Sequence, residues 1–289
     1  MSALAKLRAL LELGKLKLSA LAVFAVIAGL YLGSRHPPEI RLVLVTTLAT
    51  LLVATGGNAL NMFLERDLDR LMHRTQHRPL PTGRLHPRTV LAFGVITCAS
   101  GLALLLVATN VLATALCATI ALSYVLIYTP LKRVTTLNTL VGAVPGALPP
   151  VVGYAAAGGH VDARAVVLFL ILFFWQIPHF LAIAWRYRED YARGGMKMLP
   201  SVDPEGRATA MQMVVYGLAL VFTTMAAWVV GLSGGLYLFT ALFLGALLLV
   251  AIVLAAIVRK DHAMRLCFHA TIIYLPLLLG AMMLDRDTN

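Results

Sequence analysis

Residues 208–258 run for 51 positions, and residues 89–131 for 43, without one charged side chain. A helix rises about 1.5 Å per residue and needs about 20 apolar residues to cross the hydrocarbon core of a bilayer. Each run is therefore two crossings long. The turn each pair requires is marked in the sequence, by Gly231-Leu232-Ser233-Gly234-Gly235 in one run and Thr109-Asn110 in the other. Uncharged runs at 18–34, 42–64, 134–161, 165–185 and 266–284 supply one crossing each, so the expectation is nine membrane helices. A water-soluble domain is excluded, because 60% of the residues are hydrophobic and 13% charged, against about 25% charged in soluble domains. The run at 18–34 follows Lys15 and Lys17 but lacks a good small-residue cleavage pattern, so it reads as the first crossing and not as a leader.

The charges left over are distributed unevenly. Counted on alternate sides of nine crossings, twenty of the 24 lysines and arginines fall on one side, and only Arg35, Arg41, Arg164 and Arg286 on the other. Basic residues concentrate on the cytoplasmic side. This places the N-terminus and the long connections in the cytoplasm and the C-terminus on the opposite side. The net charge of +11 is thus explained by topology, and no nucleic-acid partner is called for. Cys98, Cys117 and Cys267 stand far apart in apolar sequence, which suits buried small hydrophobes and not a disulfide or metal framework. Residues 1–17 read either as a short amphipathic helix on the membrane or as a tail.

Two connections, about 65–88 and 186–207, are long and mix acidic residues with many arginines. Asn61, Glu65 and Asp69 repeat every fourth residue at the end of an apolar run, which puts all three on one helical face at the membrane edge, with Asp67 elsewhere. Two carboxylates and an amide a turn apart suit Mg²⁺, an ion that takes a few carboxylates and completes its shell with phosphate oxygens. Arg66, Arg70, Arg74 and Arg78 have the forked donors that phosphates require, but they equally suit a solvated ion-pair loop, and the residues alone leave both readings open. Tyr128 and Lys132-Arg133 close the fourth run on the same side. In Trp175-Gln176-Ile177-Pro178-His179-Phe180, Pro178 is expected to kink the helix. His179 could serve as a core histidine, a base or an axial ligand to haem iron; His269, inside the ninth run, is a further candidate.

These motifs together resemble the UbiA-type intramembrane prenyltransferases. Asn61-x3-Glu65-x3-Asp69 marks the superfamily. Met72-His73-Arg74-Thr75, followed by Arg78-Pro79, and the Trp175 to Phe180 segment resemble its haem-modifying branch, the protohaem IX farnesyltransferases. The similarity spans about residues 15 to 285. It implies an all-α integral membrane protein, one domain over 1–289, with nine transmembrane helices around a central cavity and cytoplasmic loops capping the site. It further implies transfer of the farnesyl group of farnesyl diphosphate to a vinyl group of haem B, with addition of water, to give haem O. By the resemblance Asn61, Glu65, Asp69 and Asp190 would hold Mg²⁺. Lys132 and Arg133 would act with Asn61, Glu65 and Asp69 in catalysis, and Arg74, Arg78, Tyr128, His179, Glu189, Asp190 and Tyr191 would bind substrate. The chain departs from the family pattern in having Glu65 where Asp is frequent, Met62 where a second Asn often stands, and adjacent Glu189-Asp190 in place of a spaced aspartate pair.

The expected setting is a bacterial cytoplasmic membrane, with membrane lipid as surroundings and a haem A synthase or haem-copper oxidase assembly as a partner for the product. Two rivals stand beside this reading. A superfamily member acting on an aromatic acid or quinone precursor is disfavoured by the Trp175 to Phe180 segment. A secondary transporter would place its polar groups near the midplane, whereas here the carboxylates cluster at one membrane face.

Overall fold

In the computed structural model, which describes residues 3–286, the chain is helical throughout; an isolated antiparallel bridge between Ser233 and Arg286 is its one extended pairing among the described residues. The helices are α1 (Ala3–Leu13), α2 (Leu16–Gly33), α3 (Ile40–Asp69), α4 (Pro87–Ala108), α5 (Val111–Leu122), α6 (Thr129–Leu131), α7 (Asn138–Ala147), α8 (Pro149–Gly158), α9 (Ala163–Arg186), α10 (Arg188–Arg193), α11 (Leu199–Val202), α12 (Arg207–Val229), α13 (Gly235–Val258) and α14 (Asp261–Leu284). A π-helical turn, Ser123–Tyr128, joins α5 to α6. Among the described residues eight spans are long and apolar enough to cross a membrane, with α5 to α6 and α7 to α8 each counting as one. The ninth expected crossing falls in α2, whose apolar part, Ser19–Gly33, is shorter than the rest.

Local chemistry sets the helix starts. Asn110 caps α5 by accepting the amide of Ala113 at 2.9 Å, and its own Nδ2 donates to the Ala155 carbonyl at 2.8 Å, fastening α5 to α8. Asp162 caps α9 through the amides of Arg164 and Ala165. The break expected after residue 230 falls where α12 ends, with Gly231 at a φ of 65° that a side chain would resist. α9 runs without interruption through Pro178.

The core lies between α9, α12, α13 and α14, with Trp175, Leu168, Ile171, Met213 and Tyr237 buried in it, and a second cluster joins α3, α4, α5 and α8. Cys98, Cys117 and Cys267 are buried and unpaired, as their surroundings predict. The outward faces carry Phe222, Phe239, Phe243 and Ile257, which is the inside-out pattern of a bundle whose solvent is hydrocarbon. Contact between α2 and α8 is backbone to backbone: a Cβ on Gly29 would run into the Pro150 carbonyl, and one on Gly153 into the Val26 carbonyl. Small residues permit this approach, and dispersion between close backbones replaces the hydrophobic drive that lipid does not supply.

Gly153→Ala is therefore expected to lower stability by about 1–3 kcal/mol, seen as an earlier unfolding transition of the detergent-solubilised protein. Gly280→Ala, where a Cβ meets open space, should leave the transition in place or raise it slightly. Equal effects of the two substitutions would show that the contact between α2 and α8 is not tight.

Candidate active site

Asn61, Glu65 and Asp69 occupy the last turns of α3, and their side chains are almost entirely buried, at 1%, 5% and 0% exposure. Burying two carboxylates is costly unless each is paired. Lys132 Nζ donates to Glu65 Oε1 at 2.8 Å. The Arg78 guanidinium donates to both oxygens of Asp69, at 2.9 and 2.8 Å. Asn61 donates to Thr129 Oγ1 at 3.0 Å, and its Oδ1 faces Lys15 Nζ at 3.5 Å. Asp67, midway between Glu65 and Asp69 in sequence and so off this row, faces outward with Arg66.

Lys132 reaches Glu65 because of the π-helical turn before it. Pro130 has no amide hydrogen, and its ring crowds the carbonyl four residues back. The chain widens by a residue, and the amide and hydroxyl of Thr129 both donate to the Tyr124 carbonyl. Such insertions recur at functional sites. The result stacks Tyr124 on Tyr128, with ring centroids 5.7 Å apart, and sets Lys132 Nζ 4.5 Å above the Tyr128 ring. Burial works against the Lys132 charge, but Tyr128 and Glu65 beside it outweigh that and hold the ammonium above its ordinary pKa.

Asp190 has a different environment. Its carboxylate accepts the amides of His73 and Arg74 at 3.2 and 3.0 Å and pairs with Arg193, fastening the 70–86 loop to α10. Against a burial penalty, these donors keep its pKa below the usual carboxylate value. Arg74 then lies between the rings of Tyr187 and Tyr191, 4.7 and 4.9 Å from their centroids, and donates to the Tyr191 hydroxyl. Glu189 and Arg133 are exposed and make no ion pair among the described residues. The structure therefore does not bring these two to the carboxylate row, since each follows or precedes a residue whose side chain is turned inward.

His179 sits deeper, between α9 and α14. Its ring is stacked between Trp175 and Phe268, at 4.9 and 5.1 Å, and Nδ1 is 2.8 Å from Thr271 Oγ1, leaving Nε2 without a protein partner among the described residues. His269 is on the exposed side of α14 against the edge of Phe268.

Several site residues escaped the sequence reading. Tyr124 was detectable, since it stands four and eight residues before Tyr128 and Lys132. Lys15 was counted only for topology, although it lines a cleft of about 310 Å³ with Glu12, Met62, Arg74, His77, Arg78 and Pro79. Desolvation and the nearby Arg78 and Lys132 cations bring its pKa down to about 7. Asn58 and Thr271 carried no signal, being single polar residues in apolar helices.

No three acidic, histidine or cysteine side chains converge as a ready-made metal cage among the described residues. The donors present, the Glu65 and Asp69 carboxylates with the Asn61 amide oxygen, fit Mg²⁺ as an ion that shares few protein ligands with phosphate oxygens.

The sequence profile described as the UbiA prenyltransferase family matches residues 22–273. The chain belongs to that family. It is similar to the protoheme IX farnesyltransferase of Solibacter usitatus, 48% identical over 83% of this chain and 82% of that one. It also resembles the protoheme IX farnesyltransferase of Anaeromyxobacter dehalogenans, 42% identical over 98% and 95%. Among solved structures, a digeranylgeranylglyceryl phosphate synthase shares the UbiA fold with a TM-score of 0.78 at 20% identity, covering 97% of this chain and 98% of that one. A UbiA homolog from Archaeoglobus fulgidus bound to GPP and Mg2+ matches with a TM-score of 0.63 at 14% identity, covering 96% and 99%. Family and helices together make this a multi-pass membrane prenyltransferase.

Asp190→Ala would orphan two amides and a guanidinium, and charged hydrogen bonds contribute about 1.5–3 kcal/mol each. Amide exchange at His73 and Arg74 is expected to rise at least about tenfold, whereas Glu189→Ala leaves it unchanged. In the wild type this fastening is present above the unfolded aspartate value of about 3.9, and it is lost as pH falls through the lower folded value. Equal exchange in the two variants would remove Asp190 as the fastener.

Proposed function

We propose that this chain transfers the farnesyl group of farnesyl diphosphate to a vinyl group of haem B, with addition of water, giving haem O and diphosphate. The observation that carries the reading is the buried row of Asn61, Glu65 and Asp69 met by Lys132 and Arg78. The protoheme IX farnesyltransferases at 42–48% identity support the acceptor.

In this reading Lys132 and Arg78, with Arg74 held between its two tyrosines, donate to the diphosphate as the bond between C1 of the farnesyl group and oxygen breaks. Both electrons leave with the diphosphate. Asn61, Glu65 and Asp69 would hold Mg²⁺, which would supply further charge stabilisation to that leaving group, while Asp190, its carboxylate taken by two amides and Arg193, would hold the loop over the site. Fixed donors in a water-poor site stabilise such charge without reorganising. The vinyl carbon of haem B forms the new bond to C1, and the cation left on the porphyrin side takes up water and releases a proton. Tyr128, stacked on Tyr124, carries the Lys132 ammonium over its ring and would so hold that donor toward the substrate. His179, stacked between two rings with Nε2 open, is the proposed contact to the haem, and Tyr191 the support for Arg74. Arg133 and Glu189, both exposed, are left for contacts at the rim.

We further propose α2 as the ninth crossing, held through its glycines against α8. The whole is a single domain in the bacterial cytoplasmic membrane, with the α3 end and its loops facing the cytoplasm. The insoluble product would pass to a membrane partner such as a haem A synthase.

Purified protein incubated with haem B, farnesyl diphosphate and Mg²⁺ is expected to yield a farnesylated, hydrated haem by mass. EDTA should abolish the reaction, and Asp69→Asn should slow it by about 10²-fold or more. Metal-dependent prenylation of an aromatic acid or quinone precursor, with no haem product, would retain the family and discard the acceptor.

A further inference from the structure

We infer that Lys15 is a fourth cation of the donor site, beside Lys132, Arg78 and Arg74, holding the diphosphate of the prenyl substrate, and that Asn58 is the residue that positions it. The inference rests on the reading of the carboxylate row as a diphosphate site.

Lys15 joins α1 to α2 with a φ of 46°, a left-handed conformation that a residue with a side chain keeps only when its surroundings impose it. Those surroundings are specific. Asn58 Nδ2 and Ser19 Oγ both donate to the Gly14 carbonyl, at 3.2 and 3.3 Å. Gly14 itself lies against Thr55, where a Cβ would already be tight at 3.3 Å. Behind the elbow, Ala9 and Leu13 pack on Ala59, Met62 and Val90, and Glu12 forms a two-pronged pair with Arg84 at 2.9 and 2.8 Å. α1 is thus fixed at both ends of its last turn, and the elbow has one way to point Lys15.

It points into the cleft. The ammonium lies 3.5 Å from Asn61 Oδ1, a contact at the outer limit of a hydrogen bond, and has no carboxylate of its own. Glu65 already has Lys132 and Asp69 already has Arg78. Arg74 on the same cleft donates to a phenol. Two cations therefore face the cleft beyond those that the carboxylates require, and Glu12 on its rim is taken by Arg84. Unbalanced charge of this kind fits a small polyanion, and a diphosphate has both the charge and the oxygens. A strained elbow held by an amide clamp would be idle if Lys15 only marked the inner side of the membrane.

The test uses the full-length protein and two readouts, the KM values for farnesyl diphosphate and haem B and the inhibition constant of inorganic diphosphate. Lys15→Ala is expected to raise the KM for farnesyl diphosphate and the inhibition constant of diphosphate together by about tenfold or more, with the KM for haem B unchanged. Lys15→Arg should recover most of both, and Lys15→Met, which keeps the stem and loses the charge, should match Lys15→Ala. Asn58→Ala should shift the same two constants, and the double variant should be no worse than Lys15→Ala alone, because the two residues act as a unit. Diphosphate inhibition unaltered in Lys15→Ala and Lys15→Met would overturn the role of Lys15. Full additivity of Asn58→Ala and Lys15→Ala would overturn the positioning by Asn58. Should the wild type fail to modify haem, diphosphate binding measured directly by calorimetry on the same variants still decides for or against Lys15, and only the acceptor reading falls.

Discussion

Two buried carboxylates at the end of an apolar helix set the terms for everything around them. Neither Glu65 nor Asp69 could remain ionised without a cation in contact, and the two cations arrive from different parts of the chain, Lys132 from the segment after α5 and Arg78 from the loop after α3. Pairs of this kind contribute little net stability once desolvation is counted, but removing one partner is severe. Their value lies in fixing position. They draw the end of α3, the loop that follows it and the distant Lys132 segment to one point, with the charges already oriented for a ligand that must leave as an anion.

The surrounding scaffold is built for that end. The loop over the site is held on one side by Asp190 through two backbone amides and on the other by Arg84 through Glu12. Beneath it, the close glycine contact of α2 with α8 and the capped start of α5 leave little freedom in the wall of the bundle. Deeper in the membrane, His179 is oriented by a hydroxyl and two flanking rings, so an apolar acceptor and an anionic donor would meet groups of opposite character along one bundle.

Much of this was legible in the sequence for physical reasons. Uncharged runs report crossings because hydrocarbon excludes charge, and the four-residue spacing of Asn61, Glu65 and Asp69 reports a shared helical face. The Asn110 and Gly231 breaks appear where expected. What sequence could not convey was pairing across the bundle. Nothing in Glu189-Asp190 distinguishes the residue that clamps a loop from the one left in solvent. Lys15 resembles any lysine that marks the inner side of a membrane, and Asn58 resembles any polar residue tolerated in a helix. Arg133 adjoins Lys132 in sequence, yet a helix turns neighbouring side chains about 100° apart, and only one of the two could face the carboxylates.

The π-helical turn at Ser123–Tyr128 makes the length of its segment matter more than its side chains. An extra residue in one helical turn keeps the segment after it in a phase that an ordinary α-helix would lose. Deleting a single residue there would restore a regular hydrogen-bond ladder and improve the helix locally, while rotating Lys132 by about 100° away from Glu65. Leu122, Leu126 and Ile127 face outward, so other apolar side chains there would leave the site intact, whereas a change in the length of the segment would carry Lys132 away from Glu65.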